Sequence, residues 1–97
     1  MYAVVGSWTM DAARAAEQEH VLVEEIVPAV KGSPGFVTAY WCRSDDQSEA
    51  LSFVAFDDRA HAEQFASTVQ GDPLGRDAYG VALASAGLRV VKVMTTA

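Results

Sequence analysis

An α+β sandwich, helices on one face of a four-stranded sheet, is the fold this sequence predicts, and three observations predict it. Segments with the two-residue alternation of strands and segments with helical spacing follow one another as strand, helix, strand, strand, helix, strand. That order is the split β-α-β arrangement of ferredoxin-like domains. The 97 residues suffice for one domain, spanning 1–97, and no more. The central hairpin carries large apolar side chains on both faces, whereas helices on one side cover only one. The second face therefore calls for a second sheet, so the domain is expected to pair into a homodimer.

Residues 2–9, valines and aromatics without helix formers, read as the first strand. Asp11 is a plausible N-cap, and a helix is predicted from there to about Lys31. Its apolar stripe is Ala12, Ala15, Ala16, Leu22, Val23, Ile26, Val27 and Val30. Pro28 interrupts the pattern; it removes the bond to the Glu24 carbonyl and predicts a kink. The Gly32-Ser33-Pro34-Gly35 run ends the helix. Residues 36–43 and 49–56 are strands joined by the polar turn Ser44-Asp45-Asp46-Gln47-Ser48. Asp57 and Asp58 cap a helix over residues 59–70, whose inward face is Ala62, Phe65, Ala66 and Val69. Residues 74–87 are ambiguous, with a short helix over Asp77–Ala86 as one reading that Gly80 weakens. Residues 88–95 alternate as the last strand.

Composition narrows the function classes. The chain is 51% hydrophobic and 21% charged with a net charge of −6. Its seven Lys and Arg are scattered, so neither nucleic acid nor an anionic membrane is an expected partner. No apolar run approaches the roughly 20 residues that cross a bilayer. The chain opens on a strand pattern without a basic-then-apolar leader, which leaves a cytoplasmic location as the expectation. Cys42 is the single cysteine, so no disulfide forms within the chain; it is expected to be a small buried hydrophobe. The two histidines, His20 and His61, have no metal-ligand spacing, and there is no phosphate loop, nucleophile elbow or dinucleotide fingerprint. No metal, haem or flavin cofactor is expected.

The segment Ile26-Val27-Pro28-Ala29-Val30, then Pro34-Gly35-Phe36, then Val54-Ala55-Phe56-Asp57-Asp58 resembles the antibiotic biosynthesis monooxygenase (ABM) group of the dimeric α/β-barrel superfamily. The resemblance covers roughly residues 2–70 and the final strand. It implies a dimeric α/β barrel with a pocket between the helices and the helix-facing side of the sheet. It also implies a function among cofactor-free oxygenases of aromatic polyketides and quinols, haem-degrading enzymes, or members of other roles. The haem-degrading branch uses an Asn, a Trp and a His. This chain has no Asn, carries Phe56 where the strand-three Trp would stand, and has no clear match for the His, so haem degradation is not expected.

Placed on that frame, the pocket wall is expected to include Trp8, Phe36, Thr38 and Phe56, with Val4, Tyr40 and Val54 on the same side. Val37, Trp41, Leu51 and Phe53, with Val91 and Val93, are assigned to the opposite face and hence to the dimer interface. Glu19 stands among Ala15, Ala16, Leu22 and Val23 at helical spacings. A carboxylate in an apolar stripe is costly unless paired or protonated, which makes Glu19 the candidate general base or substrate anchor. The opposing reading has the stripe fray near its start, with Glu19 in solvent. His20, at the stripe's edge beside Glu17 and Glu24, is a candidate proton shuttle or a member of a surface network with those glutamates. His61 is expected to be solvated or to pack against Phe65. Tyr40 is a candidate hydrogen-bond donor to a flat substrate, or core filler like the tryptophans. Two functions follow as expectations: a cofactor-independent monooxygenase acting on a small aromatic or quinol-like molecule, and a dimeric binding module without catalysis.

Overall fold

The computed structural model describes residues 1–97. Strand β1 (Tyr2–Met10) leads into a 3-10 turn (Ala12–Arg14), helix α1 (Ala15–Val21), a π-helical turn (Leu22–Ile26) and helix α2 (Val27–Lys31). Strands β2 (Phe36–Arg43) and β3 (Glu49–Phe56) form a hairpin. Helix α3 (Arg59–Gln70), a 3-10 turn (Arg76–Tyr79) and strand β4 (Val81–Lys92) complete the chain. The sheet order β2-β3-β1-β4, antiparallel throughout, is the ferredoxin-like α+β topology. No helix is long and apolar enough to cross a membrane.

The termini of each element have local causes. The Asp11 carboxylate accepts the Ala13 N–H, and the Asp58 carboxylate accepts the His61 N–H, so both helical runs start on side-chain caps. In the hairpin turn Asp46 accepts from the Ser48 N–H and from the Ser44 and Ser48 hydroxyls, which hold its carboxyl down to about 2. The kink expected at Pro28 is resolved by the π-turn. There the Val27 N–H reaches back five residues to the Leu22 carbonyl, and Pro28 falls in the first turn of α2, where its missing N–H is tolerated.

One irregularity in β2 rearranges the face assignments. Phe36 pairs with Phe56, but the next pair is Thr38 with Ala55, so Val37 is an extra residue in a β-bulge. A one-residue insertion reverses the alternation beyond it. Phe36 therefore faces the helices together with Ala39, Trp41 and Arg43, while Thr38 and Tyr40 turn to the outer face. This corrects two expectations. Thr38 and Tyr40 do not line the helix-side pocket, and Trp41 does not belong to the outer face. Val37, Leu51 and Tyr40 are exposed, with Phe53 half-buried between them.

The tail also departs from expectation. Residues 77–86 do not form a helix; a 3-10 turn ends at Tyr79 and β4 already begins at Val81. Between the pairs Gly6–Leu88 and Trp8–Leu83, the single residue Ser7 faces residues 84–87 of β4, so the strand bows out there. That bow hides the two-residue period across the whole segment. Cys42 is exposed instead of buried.

The core proper is small: Val4, Val30, Val54, Phe56 and Ala62, ringed by Tyr2, Ile26, Phe36, Phe65, Leu88 and Val90 among others. Phe56 is fully buried, its ring 5.0 Å from that of Phe65. It is a core residue and does not line the pocket, a second correction to the predicted wall. Helix α3 lies close over β1, β3 and β4, whereas the α1–α2 run meets the sheet mainly through Ile26 and Val30. The space left beneath that run is the site.

Candidate functional site

The floor of the site follows from the strand register. Across β2-β3-β1-β4, one row of helix-facing residues reads Ala39, Val54, Val4, Val90 and fills the core. The next reads Trp41, Ser52, Gly6, Leu88, and the one after it Arg43, Ala50, Trp8, Leu83. Small residues at Ser52, Gly6 and Ala50 between large flanking ones leave a hollow. Over it lies a cavity of about 870 Å³ lined by 33 residues, 20 of them hydrophobic. Leu22 and Ile26 form one wall, Phe65 and Val69 the other, with Trp8 and Trp41 on the floor.

Trp8 is fixed in place. Its indole N–H donates to the Ser52 hydroxyl at 2.9 Å, with the ring folded across Gly6. A Cβ on Gly6 would stand 2.7 Å from Ser52 Oγ and 2.8 Å from Trp8 Nε1, so only glycine permits this arrangement. The Arg76 guanidinium covers the indole at 5.2 Å from the ring centroid, a cation–π contact. Arg76 is itself tethered, its Nη2 to the Val69 carbonyl and its Nε 3.6 Å from the Asp72 carboxylate.

The polar end of the cavity is organised by Gln18, which is 4% exposed. Its Nε2 donates to the carbonyls of Asp11, Tyr79 and Gly80, and its Oε1 accepts from Arg43 Nη2 at 2.6 Å. One neutral side chain thus ties the start of the first helical run to the lead-in of β4 and the end of β2. Gly80 makes room for it: the backbone there has φ 78°, and a Cβ would lie 3.1 Å from Gln18 Nε2. Tyr79 lines the same end. Burial, then the Asp72 carboxylate, push its phenol above the usual tyrosine value, against the pull of Arg76.

The predicted site residues are divided by this geometry. Trp8 lines the cavity, Phe36 packs on the core beside it, and Thr38 and Phe56 lie elsewhere. Glu19 is exposed and borders the cavity at its rim; the residue of α1 that turns inward is its neighbour Gln18. His20 is exposed and outside the cavity, as is Tyr40 on the outer face. Gln18, Arg43, Ser52, Arg76 and Tyr79 were not singled out from the sequence. The glycines at 75 and 80, both left-handed, bracket the turn that carries Arg76 and Tyr79 and were its one legible sign.

His61, at the opposite end of the cavity lining, holds Asp57 through Nδ1 at 2.7 Å, with Asp58 at 3.3 Å. The hydrogen bond to Asp57 raises the imidazole above 6.5 and lowers the Asp57 carboxyl below 3.8. A raised histidine stabilises the fold fully below its unfolded value and loses that contribution as pH climbs through the folded one. A lowered aspartate contributes above its unfolded value and loses that as pH falls through the folded one. The pair therefore contributes most between about pH 4 and 6.5. The melting-temperature deficit of His61→Gln should be largest near pH 5–6 and shrink towards pH 9. A deficit that is flat with pH would rule out the charged pair.

Fold and cavity together define a ferredoxin-like α+β domain with an apolar chamber between its helices and sheet. Several solved structures share this fold over nearly the whole chain. It is similar to a protein of Deinococcus radiodurans assigned as an antibiotic biosynthesis monooxygenase, at 16% identity and a TM-score of 0.74 over 100% of this chain and 96% of that one. It is also similar to a monooxygenase from the gene ActVA-Orf6 of Streptomyces coelicolor in complex with nanaomycin D (12%, TM-score 0.60, 99% and 88%). A third is the haem degrader MhuD of Mycobacterium tuberculosis, with two haems in its active site (13%, TM-score 0.73, 100% and 99%). At these identities the likeness is one of fold. No family model matches the chain, and no curated protein matches it in sequence.

Proposed function

We propose that the protein is a cofactor-independent monooxygenase acting on a flat aromatic or quinol-like molecule held in the helix–sheet cavity. The observation that carries this reading is the cavity itself: about 870 Å³, mostly apolar, with the indoles of Trp8 and Trp41 on its floor. An apolar chamber accommodates an electron-rich aromatic, and a base at its rim takes the proton whose loss begins the reaction. The resulting anion reacts with oxygen, and for a methylene between aromatic rings the balance is CH2 + O2 → C=O + H2O. All four electrons come from the substrate, so no external reductant is needed. Of the three residues singled out for proton transfer, Glu19 alone borders the cavity, and it is the proposed base.

Oxygen uptake with a panel of hydroquinones and anthrones tests the reading. Uptake equimolar with substrate, lost in Glu19→Gln, is the expected result. Trp41→Ala should weaken binding of the same compounds roughly tenfold, or about 1.4 kcal/mol. Binding without oxygen uptake would establish the second reading, a ligand-binding module. The exposure of Glu19 and the distance of His20 and Tyr40 from the cavity favour that alternative.

The same proposal includes pairing of two copies through the outer face of the sheet. Its support is that face's composition. One cross-strand row reads Tyr40, Phe53, Val5 and ends on Arg89, and Leu51, Val37 and Val91 lie around it. Tyr40 is 64% exposed and Leu51 55%.

A further inference from the structure

The cavity holds one phenol that no internal contact uses. Tyr79 lines the chamber at its polar end, and its hydroxyl makes no hydrogen bond to the protein, although its backbone carbonyl is taken by Gln18. The oxygen is not sealed away either, since no buried side-chain polar atom lacks a partner. The groups that reach it electrostatically are Asp72, Arg76 and Glu25. Asp72 is engaged by the Arg76 backbone N–H at 2.8 Å and by its guanidinium. Arg76 in turn lies over the Trp8 ring. Tyr79 ends a 3-10 turn whose backbone Gln18 ties to the start of the first helical run.

We propose that Tyr79 is a ligand-binding residue of this cavity, donating its hydroxyl to a phenolic or carbonyl oxygen of the aromatic molecule bound there. The inference rests on the cavity being an aromatic-ligand site and adds to it the chemical handle that the ligand must carry. A desolvated phenol remains protonated across the neutral range, so Tyr79 acts as a donor and does not serve as a base. With Asp72 and Glu25 opposing the pull of Arg76 there, its natural acceptor is a neutral phenolic or carbonyl oxygen. Rings without such an oxygen would bury the hydroxyl without a partner.

The test is calorimetric, with 1-naphthol and its near-isostere 1-methylnaphthalene as probes, on wild type and Tyr79→Phe. Wild type is expected to bind 1-naphthol roughly tenfold more tightly, the scale of one well-formed hydrogen bond. Tyr79→Phe should bring 1-naphthol down to the level of 1-methylnaphthalene and leave the hydrocarbon's affinity unchanged. Equal preference in wild type and variant would overturn the role of Tyr79 while leaving the aromatic site standing. Binding of neither probe to wild type would overturn the site and the inference together. The melting temperature of Tyr79→Phe should match wild type, because the hydroxyl makes no internal bond. A variant that loses affinity for both probes and melts early would assign Tyr79 a packing role and overturn the proposal.

Discussion

Phe53→Asp is expected to turn a dimeric protein monomeric, and Trp41→Ala, one strand away, to leave pairing intact. Phe53 sits in the middle of the outer face, flanked by Tyr40 on β2 and Val5 on β1. A stable interface of this kind buries on the order of 2,000 Å² in total. A two-fold axis presents the same patch from both copies, so one substitution introduces two carboxylates into the centre. Each must lose water without an ion partner, which costs several kcal/mol. Pairing should weaken at least 100-fold, since about 1.4 kcal/mol corresponds to a factor of ten. Trp41 faces the helices and floors the cavity, so its truncation reads out in ligand affinity. Light scattering at micromolar concentration separates the cases. A monomeric wild type, or a Phe53→Asp variant that stays dimeric, would refute pairing through this face.

That contrast between neighbouring aromatics shows what a sequence pattern can and cannot carry. The spans of β2, β3 and α3 coincide with the predicted ones because their ends have local chemistry: the Asp46 turn, the Asp58 cap and Gly71 after the helix. The facing of β2 depends on a single inserted valine. Val37 has no composition that marks a bulge, and the bulge exists because Phe36 must meet Phe56 while Ala39 meets Val54. Tertiary pairing, not local preference, selects it. The helix makes the same point. Glu19 drew attention as a charge in an apolar stripe, but the 3-10 start of the run turns Gln18 inward instead. An amide can share its two N–H groups among backbone carbonyls and accept from a guanidinium without bringing a negative charge indoors, which an ionised glutamate cannot. The Arg76–Tyr79 turn has neither helical nor strand period, so its two cavity residues were hidden in the one segment that periodicity could not read.

Phe56→Ala should be the most destabilising single change in the fold. On an alternating strand Phe56 looked like a wall of the pocket, and a wall residue would lose ligand affinity on truncation with little change in stability. The structure places it beneath the cavity instead. It is 0% exposed, stacked at a tilt on Phe65, and in register with both Phe36 and Tyr2. Removing a fully buried ring loses its transfer free energy and leaves a hole that close-packed neighbours fill only in part, a cost of about 3–5 kcal/mol. Domains of this size have about 5–10 kcal/mol of stability in all, so the variant should be close to unfolding at 37 °C. Phe56→Leu retains most of the volume and should cost less than half as much. Urea titration of the three proteins gives the ordering directly. If Phe56→Ala unfolds at the same urea concentration as wild type and instead loses affinity for 1-naphthol, Phe56 is a pocket wall after all, and the core must lie elsewhere.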